Sequence, residues 1–512
     1  MVTIGTMGIG SVCGRALSLI AIAATLVAVG AGCDPRALRY ASGAGAAGTS
    51  GAGGEGDRAT YELVPAPVRK LDIVFVVDTS QEMSSIQVKL AAQIPVFMNV
   101  LKMVPSGGSG LVLPSLHAAV VSADTGAGAF DLPGQGCPLR GGRGQFRTNG
   151  RTACPGAGLD PTQPLHYLTA YDNERDKNYS GDIGKALSCL ALLGEDGCFV
   201  SSPLEAVRWA LDPMNPPAGH QGFLRSDALL AIIVVGRQDD CSLPDSSTLF
   251  DPNPSYDSLA SPLGPFTGFR CNEFGDWCTV GTASLPPSVV PTQVPVDCEA
   301  SQLPSNRLTQ ISDEVAFLKG LKSDPTRVFV AAIAGPATPY VTTRVAHTEP
   351  TGVIEMIPAL APSCTANAGE SGLPAVRLQQ WVQGFGNHGL VQTICAPTFA
   401  PAFTQVAQAL SQLDLPQCLG AVRDANPATP EIDADCVVTD QVPSATGGTA
   451  SMPLPECAGA DTPRPCWSVN ANAACDHGLG LFIDRAFDAP AGTTTTASCQ
   501  ICPPGAQLSG CP

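Results

Sequence analysis

The stretch Leu71-Asp72-Ile73-Val74-Phe75-Val76-Val77-Asp78-Thr79-Ser80-Gln81-Glu82-Met83 decides the fold. Its first seven residues are a near-continuous β-branched and aromatic run. That is the pattern of a strand buried on both faces, as in a parallel sheet, and not of a strand with one wet face. The run ends abruptly in an acidic, hydroxyl-bearing loop. Downstream, Ile86, Leu90, Ile94, Phe97 and Leu101 recur at helical spacing. Pro95 falls inside this pattern and predicts a kink or break.

The same alternation continues outward. LHAAVVSAD (116–124), ALLAIIVVG (228–236), RVFVAAIAG (327–335) and LVQTICA (390–396) read as strands. Helical patterns cover 182–193 and 203–211, then Ile311, Val315, Leu318 and Leu321, and finally Phe403, Val406, Leu410 and Leu413. Strands alternating with helices predict an α/β layered domain. Two stretches interrupt it, 125–200 and 241–303, each rich in Gly, Pro and polar residues and each holding four Cys. They read as disulfide-stapled insertions. From 418 to 512 the pattern changes to eight Cys among Pro, Thr and Gly, with GLGLFIDRAF (478–487) as a β signal. That is a small disulfide-held β module.

The N-terminus reads as an address. Residues 16–31 (ALSLIAIAATLVAVGA) are apolar or small, follow Arg15, and would span about 24 Å as a helix, short of a bilayer core of about 30 Å. They fit an export signal over 1–32. Gly30-Ala31-Gly32 precedes Cys33 and resembles the lipobox of bacterial lipoproteins, although Gly30 stands where Leu or Val is usual. The resemblance implies that Cys33 is diacylated and anchors the chain to the inner or outer membrane. Residues 33–69 then form a lipidated start and a Gly/Ala-rich tether. Of 20 Cys, Cys13 leaves with the signal and Cys33 carries lipid, so an even 18 remain, enough for nine disulfides in an oxidising compartment.

The 512 residues carry 45 acidic against 28 basic side chains, a net charge of −17. This balance excludes a general nucleic-acid partner, which needs a basic face. Charged residues are only 14%, while 44% apolar residues supply a real core.

The Asp78-Thr79-Ser80 loop after its apolar strand, the strand ending VVSAD, the P-L-E-A helix at 203–206 and Asp239-Asp240-Cys241-Ser242 after a further strand come in a telling order. With RCNEFGDWC (270–278), FLKGLKSDPTRVFVAAIAGP (317–336) and PAVRLQQWVQGFG (374–386), they carry a resemblance. The chain resembles bacterial cell-envelope lipoproteins with a von Willebrand factor A-like domain, here over 70–417. The resemblance implies a Rossmann-like three-layer α/β sandwich, enlarged by the disulfide-rich insertions and followed by the Cys-rich β tail. It also implies a site for one divalent cation, Mg²⁺ or Mn²⁺, held by oxygen ligands.

Mapped residue by residue, Asp78 and Ser80 match the first loop of that site, and Glu82 stands where a further Ser is usual. Ser201 is the candidate for the second-loop Thr. In the third loop Arg237 occupies the place of an Asp, with Asp239 and Asp240 just beyond. Two readings follow. Glu82, Asp239 and Asp240 rebuild an acidic site, or an Arg237–Asp78 ion pair replaces the cation and leaves the site vestigial.

Six dispersed His and no nucleophile motif point away from an enzyme, although a Ser/His/Asp triad can assemble from any order in sequence. Cys499-Gln500-Ile501-Cys502 has redox or zinc spacing, with exported disulfides as the plainer reading. The expected function is non-catalytic binding or adhesion to a protein or surface polymer, with the membrane reached through the lipid. The alternatives are a structural envelope component, or a hydrolase whose site lies in the insertions.

Overall fold

The computed structural model describes residues 58–511 apart from 64–69, 104–112, 148–156, 161–164, 304–305, 367–368, 413–416, 429–431, 445–447, 458–461, 472–478, 486–488, 491–492 and 503–509. The export signal, Cys33 and the Gly/Ala-rich stretch lie outside the described residues. So do Cys154 and Cys475.

The central sheet is built from β1 (Lys70–Val77), β2 (Ser115–Ser122), β3 (Leu168–Tyr171), β4 (Asp176–Lys177), β5 (Leu229–Val235), β6 (Val328–Ala334) and β7 (Gly389–Thr393). Their spatial order is β7-β6-β5-β1-β2-β3-β4. The pairs from β7 to β2 are parallel, and β3 and β4 close one edge antiparallel. The chain runs outward from β1 to one side and then returns to start again at β5, so the order reverses between β1 and β5.

Six helices cover the sheet: α1 (Ser84–Met103), α2 (Ile183–Leu190), α3 (Pro203–Leu211), α4 (Ile311–Gly320), α5 (Val376–Gln383) and α6 (Ala400–Gln412). Strand β1 shows why its sequence lacks a polar face. Leu71, Ile73, Phe75 and Val77 enter the layer under α1, α2 and α6, while Val74 and Val76 enter the layer under α3, α4 and α5. Each such fully buried side chain contributes about 1.5–3 kcal/mol. The buried Asp72 is the exception, and Arg225 compensates it through its backbone N–H at 2.7 Å and its Nε at 2.8 Å. That pair sits at the amino end of the strands, away from the candidate site.

Of the kink or break expected at Pro95, the break is absent: helix α1 runs on through it. Proline cannot donate to the carbonyl of Ala91. The Ser188 hydroxyl of α2 lies 2.7 Å from that oxygen and 2.7 Å from the Gly184 carbonyl of its own helix, and shares its one proton between them. Gly184 lets the helices meet there, because a Cβ on it would lie 2.8 Å from the Pro95 Cα.

The second insertion is more regular than its composition suggests. It holds a short helix, Phe269–Gly275, and the strands Asp276–Val280, Ala283–Leu285 and Pro295–Ala300. These join a hairpin of Tyr340–Thr348 and Ile354–Leu360 in a five-stranded sheet with the Ile354–Leu360 strand at one end. The C-terminal module has a four-stranded and a three-stranded sheet around Tyr61, Val438, Trp467, Leu481 and Ala497. Its first strand is Arg58–Leu63, paired antiparallel with Thr494–Gln500. The reading of 33–69 as tether throughout is therefore corrected: its last part is a strand of the module that closes the chain. The described residues form one compact unit.

Seven disulfides lie among the described residues: 137–198, 241–271, 278–298, 364–395, 436–499, 457–466 and 502–511. They fit an oxidising compartment, the cell envelope or the exterior. Cys499 and Cys502 each bond to a different cysteine, so this C-x-x-C pair is neither a redox dithiol nor half of a zinc site. Among the described residues no helix is long and apolar enough to cross a membrane.

Candidate functional site

The loops at the carboxyl ends of the parallel strands gather the residues singled out by the sequence. In open α/β sheets this end, near the reversal of strand order, is where ligands commonly bind. Asp78 follows β1 directly, and its N–H donates to the Val235 carbonyl of β5 at 2.9 Å. Its Oδ1 accepts the Ser80 N–H at 2.8 Å. Asp78 Oδ2 and Ser80 Oγ are both buried without a hydrogen-bond partner. Burial pushes the Asp78 carboxyl up; the Ser80 N–H and hydroxyl, the Arg237 N–H and the Arg237 charge oppose this only in part.

Arg237 does not pair with Asp78. Its Nη2 lies 2.7 Å from Glu82 Oε2 and donates to Ser371 Oγ at 3.3 Å. Glu82 reaches it from a left-handed backbone position, φ 70°, with its side chain 70% exposed. The expected Arg237–Asp78 ion pair is therefore corrected to an Arg237–Glu82 pair that bridges the first and third loops at the surface. Arg237 is also tied by its carbonyl, which accepts the Leu373 N–H at 2.8 Å.

Asp239 and Asp240 hold up the fold. Asp239 caps α5: its Oδ2 accepts the Arg377 N–H at 2.8 Å and its Oδ1 the Leu378 N–H at 3.0 Å. The Asp240 N–H also donates to Asp239 Oδ1. Asp240 Oδ2 takes Nε and Nη2 of the buried Arg377 at 3.2 and 3.0 Å. Its Oδ1 accepts the Ser242 hydroxyl and the Leu204 N–H. Both are candidate cation ligands by sequence; here most of their lone pairs accept N–H and O–H donors, which leaves little for a cation. Ser201 is buried and joins the third loop through its carbonyl, which accepts the Cys241 N–H at 2.7 Å. No interaction joins it to Asp78 among the described residues.

Three residues that the sequence reading passed over belong to this cluster. Gln87 of α1 donates to the Asp78 carbonyl at 3.0 Å and accepts the Leu193 and Gly194 N–H groups, tying three segments together. Asp124, after β2, accepts the Gly126 N–H; burial pushes its carboxyl up and the Asp78 charge adds to that. Glu205 of α3 is pushed up to about 8 by burial, while the Thr125 hydroxyl donates to it at 2.8 Å. Asp124 and Glu205 stand inside the VVSAD and P-L-E-A stretches, but nothing in those stretches marks either carboxyl as part of a site, and Gln87 reads as an ordinary helix residue.

Asp78 Oδ2 and Ser80 Oγ are the oxygens that a cation would use. The rest of the donor set does not fit one. A hard divalent ion needs several oxygen ligands, and the third loop offers a guanidinium in place of a carboxylate. Among the described residues no three His, Cys, Asp or Glu side chains converge to hold a metal ion.

A crevice of about 250 Å³ opens beside this cluster. Gln238 and Asp239 line it from the end of β5, Thr267 and Asn272 from the second insertion, and Ile357 and Leu360 from the hairpin.

No protein-family model matches the sequence, and no curated protein matches it. Among solved structures, the chain is similar to the pilus adhesin SpaC from Lactobacillus rhamnosus GG, at 10% identity and TM-score 0.29, over 86% of this chain and 41% of that one. The open conformation of SpaC gives 9% identity and TM-score 0.28, over 88% and 42%. The human COPII-coat protein Sec24c gives 9% and 0.26, over 86% and 41%. The chain thus spans less than half of the length of these structures. Superpositions this loose carry no inference about fold or role, which rest on strand order and side-chain geometry.

Proposed function

We propose that the chain is a non-catalytic binding protein of the bacterial envelope. In this reading it is anchored by lipid on Cys33 and built on a von Willebrand factor A-like domain. It meets a protein or surface polymer through the loops at the carboxyl ends of β1 and β5, without a bridging metal ion. The order of elements supports the domain reading: strand, Asp78 loop, long α1, strand ending in Ser122-Ala123-Asp124, α3 and then β5 with its acidic loop.

The observation that carries the metal-independent part is the Arg237–Glu82 pair at 2.7 Å. It places a fixed positive charge between the first and third loops, where the resemblance implies a divalent cation. A guanidinium there opposes cation entry and supplies planar donors that a carboxylate or hydroxyl of a partner can use.

The test is retention of the lipid-free mature chain on washed envelopes of the producing bacterium, with and without EDTA, beside Arg237→Ala. Saturable retention that ignores EDTA and falls at least tenfold in Arg237→Ala is expected. Retention abolished by EDTA, or equal in the variant, overturns the reading. Titration of Mn²⁺ should give no saturable heat with the parent chain.

A further inference from the structure

The two members of the Arg237–Glu82 pair are held very differently. Arg237 is fastened to the segment 361–373, which crosses the carboxyl ends of β5, β6 and β7 and pairs with itself as Cys364–Thr365 against Ser371–Gly372. The Leu373 N–H of this segment donates to the Arg237 carbonyl, and its Ser371 hydroxyl accepts from Arg237 Nη2. The segment is itself tied at three points. Its backbone lies so close to the exit of β6 that the Leu373 carbonyl leaves no room for a Cβ on Gly335. The Cys364–Cys395 disulfide joins it to the exit of β7, and the Lys89–Glu370 pair joins it to α1. Lys89 also donates to the Ala396 carbonyl at 3.0 Å.

Glu82 has no such support. Among the described residues its carboxylate meets only Arg237 Nη2. It stands at φ 70°, a left-handed position that a residue with a Cβ occupies at a cost. Its neighbours impose this: Met83 is fully buried, and the Met83 N–H turns back to the Ser80 carbonyl. The Glu82 side chain is thereby sent outward across the loop. Arg237 in turn has donors to spare, since among the described residues nothing accepts from its Nε or Nη1. A guanidinium is a planar fork that suits a carboxylate through two donors, and Glu82 meets one.

The charges around the pair narrow the choice of ligand. Lys89 is taken by Glu370 and Arg377 by Asp240, while Asp239 accepts backbone N–H groups. Two exposed acids stand beside the first loop, where the Gly197 N–H donates to the Thr79 carbonyl: Glu195, which accepts the Ser84 N–H at 3.3 Å, and Asp196. With the net charge of −17, they oppose a polyanion such as an acidic polysaccharide. A single carboxylate on a neutral or basic protein surface escapes most of that repulsion.

We propose that Glu82 is an internal stand-in for a partner's carboxylate: the free chain keeps Arg237 occupied, and a protein partner presenting one Asp or Glu side chain displaces Glu82 and takes the Arg237 fork beside Ser371. The proposal rests on the binding role argued above and names the chemistry of its partner. A surface ion pair resists opening by a factor of about five at most, so Glu82 lowers the apparent affinity without blocking the site.

The test compares retention of the lipid-free mature chain on washed envelopes of the producing bacterium for the parent, Glu82→Gln and Arg237→Ala. Glu82→Gln keeps the size of the side chain and should bind about two- to fivefold tighter, while Arg237→Ala should bind at least tenfold weaker. Envelopes treated with protease, or amidated with carbodiimide and glycinamide, should not retain the parent. Phenylglyoxal, which attacks accessible guanidinium groups, should modify Arg237 faster in Glu82→Gln than in the parent, read by peptide mass; this measurement needs no partner. Equal or weaker binding by Glu82→Gln, or equal phenylglyoxal rates, overturns the stand-in, while a loss in Arg237→Ala leaves the binding role in place. Retention that survives protease but not amidation makes the ligand an acidic polymer and also overturns the proposal. Equal retention of Arg237→Ala, or no saturable retention of any variant, refutes the binding role itself.

Discussion

Replacing Arg377 by Met tests whether the third-loop aspartates are structural. Arg377 is 1% exposed and joins Asp240 through Nε and Nη2, while Nη2 also donates to the Thr309 carbonyl at 2.8 Å. Methionine fills much of the same space and offers no donor. Asp240 would keep its bonds from Ser242 and Leu204 but would lose the charge that faces it. Removing one member of a buried pair costs about 3–5 kcal/mol, because the other is left uncompensated. The surviving bonds place this case near the lower end, about 3 kcal/mol. Urea unfolding followed by near-ultraviolet circular dichroism, with disulfides intact, should show the midpoint falling accordingly. The double variant Arg377→Met with Asp240→Leu should lose less than the sum of the singles, by about 1–3 kcal/mol. A single-variant cost below about 1 kcal/mol, or strict additivity, would refute the reasoning and return Asp240 to the pool of free ligands.

Further outcomes follow from the same geometry. Ser188→Ala should cost about 1 kcal/mol, since the Ala91 carbonyl beside Pro95 loses a donor that it shares with Gly184; a neutral result in thermal unfolding would sink that account. Glu205 is pushed up to about 8 from its ordinary 4.5 by burial, so the folded chain holds a proton that the unfolded chain has lost. Its contribution is complete below about pH 4.5 and disappears as pH rises through 8, and Glu205→Gln should flatten that decline in stability. His117 and His220 are pulled down to about 4 by burial, so their share runs the other way, present above pH 6.5 and lost as pH falls through 4. Peptide mapping without reduction should recover Cys436 with Cys499 and Cys502 with Cys511; a Cys499–Cys502 bond would contradict the module's strand pairing.

The central sheet was legible because its signal is one-dimensional. A strand buried on both faces must be apolar throughout, and β1, β5 and β6 announce this in the sequence. What escaped depends on partners far along the chain. Pro95 predicts a break only if the Ala91 carbonyl has no other donor, and Ser188 supplies one from a different helix. Arg58–Leu63 is polar enough to pass for linker. It becomes a strand because Thr494–Gln500, over 430 residues later, offers it an edge. The hairpin 340–360 alternates weakly, and only the insertion strands behind it show why it is there.

The site was only partly legible for a related reason. Acidic residues after a strand look alike whether they face a cation or a backbone. Asp239 and Asp240 are distinguished only by Arg377, which lies 138 and 137 residues downstream and brings both an unfilled helix start and a guanidinium. Glu82 differs because a left-handed backbone and solvent exposure leave it free to exchange partners. Glu82 is the exposed member of its pair, at 70% against 16% for Arg237, so the Arg237–Glu82 pair opens from the Glu82 side at a cost of about 1 kcal/mol. The buried Arg377–Asp240 pair costs several times more. The fold therefore fixes the base of the third loop firmly and ties the Arg237 guanidinium only through the exposed Glu82 and Ser371, the division of labour that the proposed binding role would require.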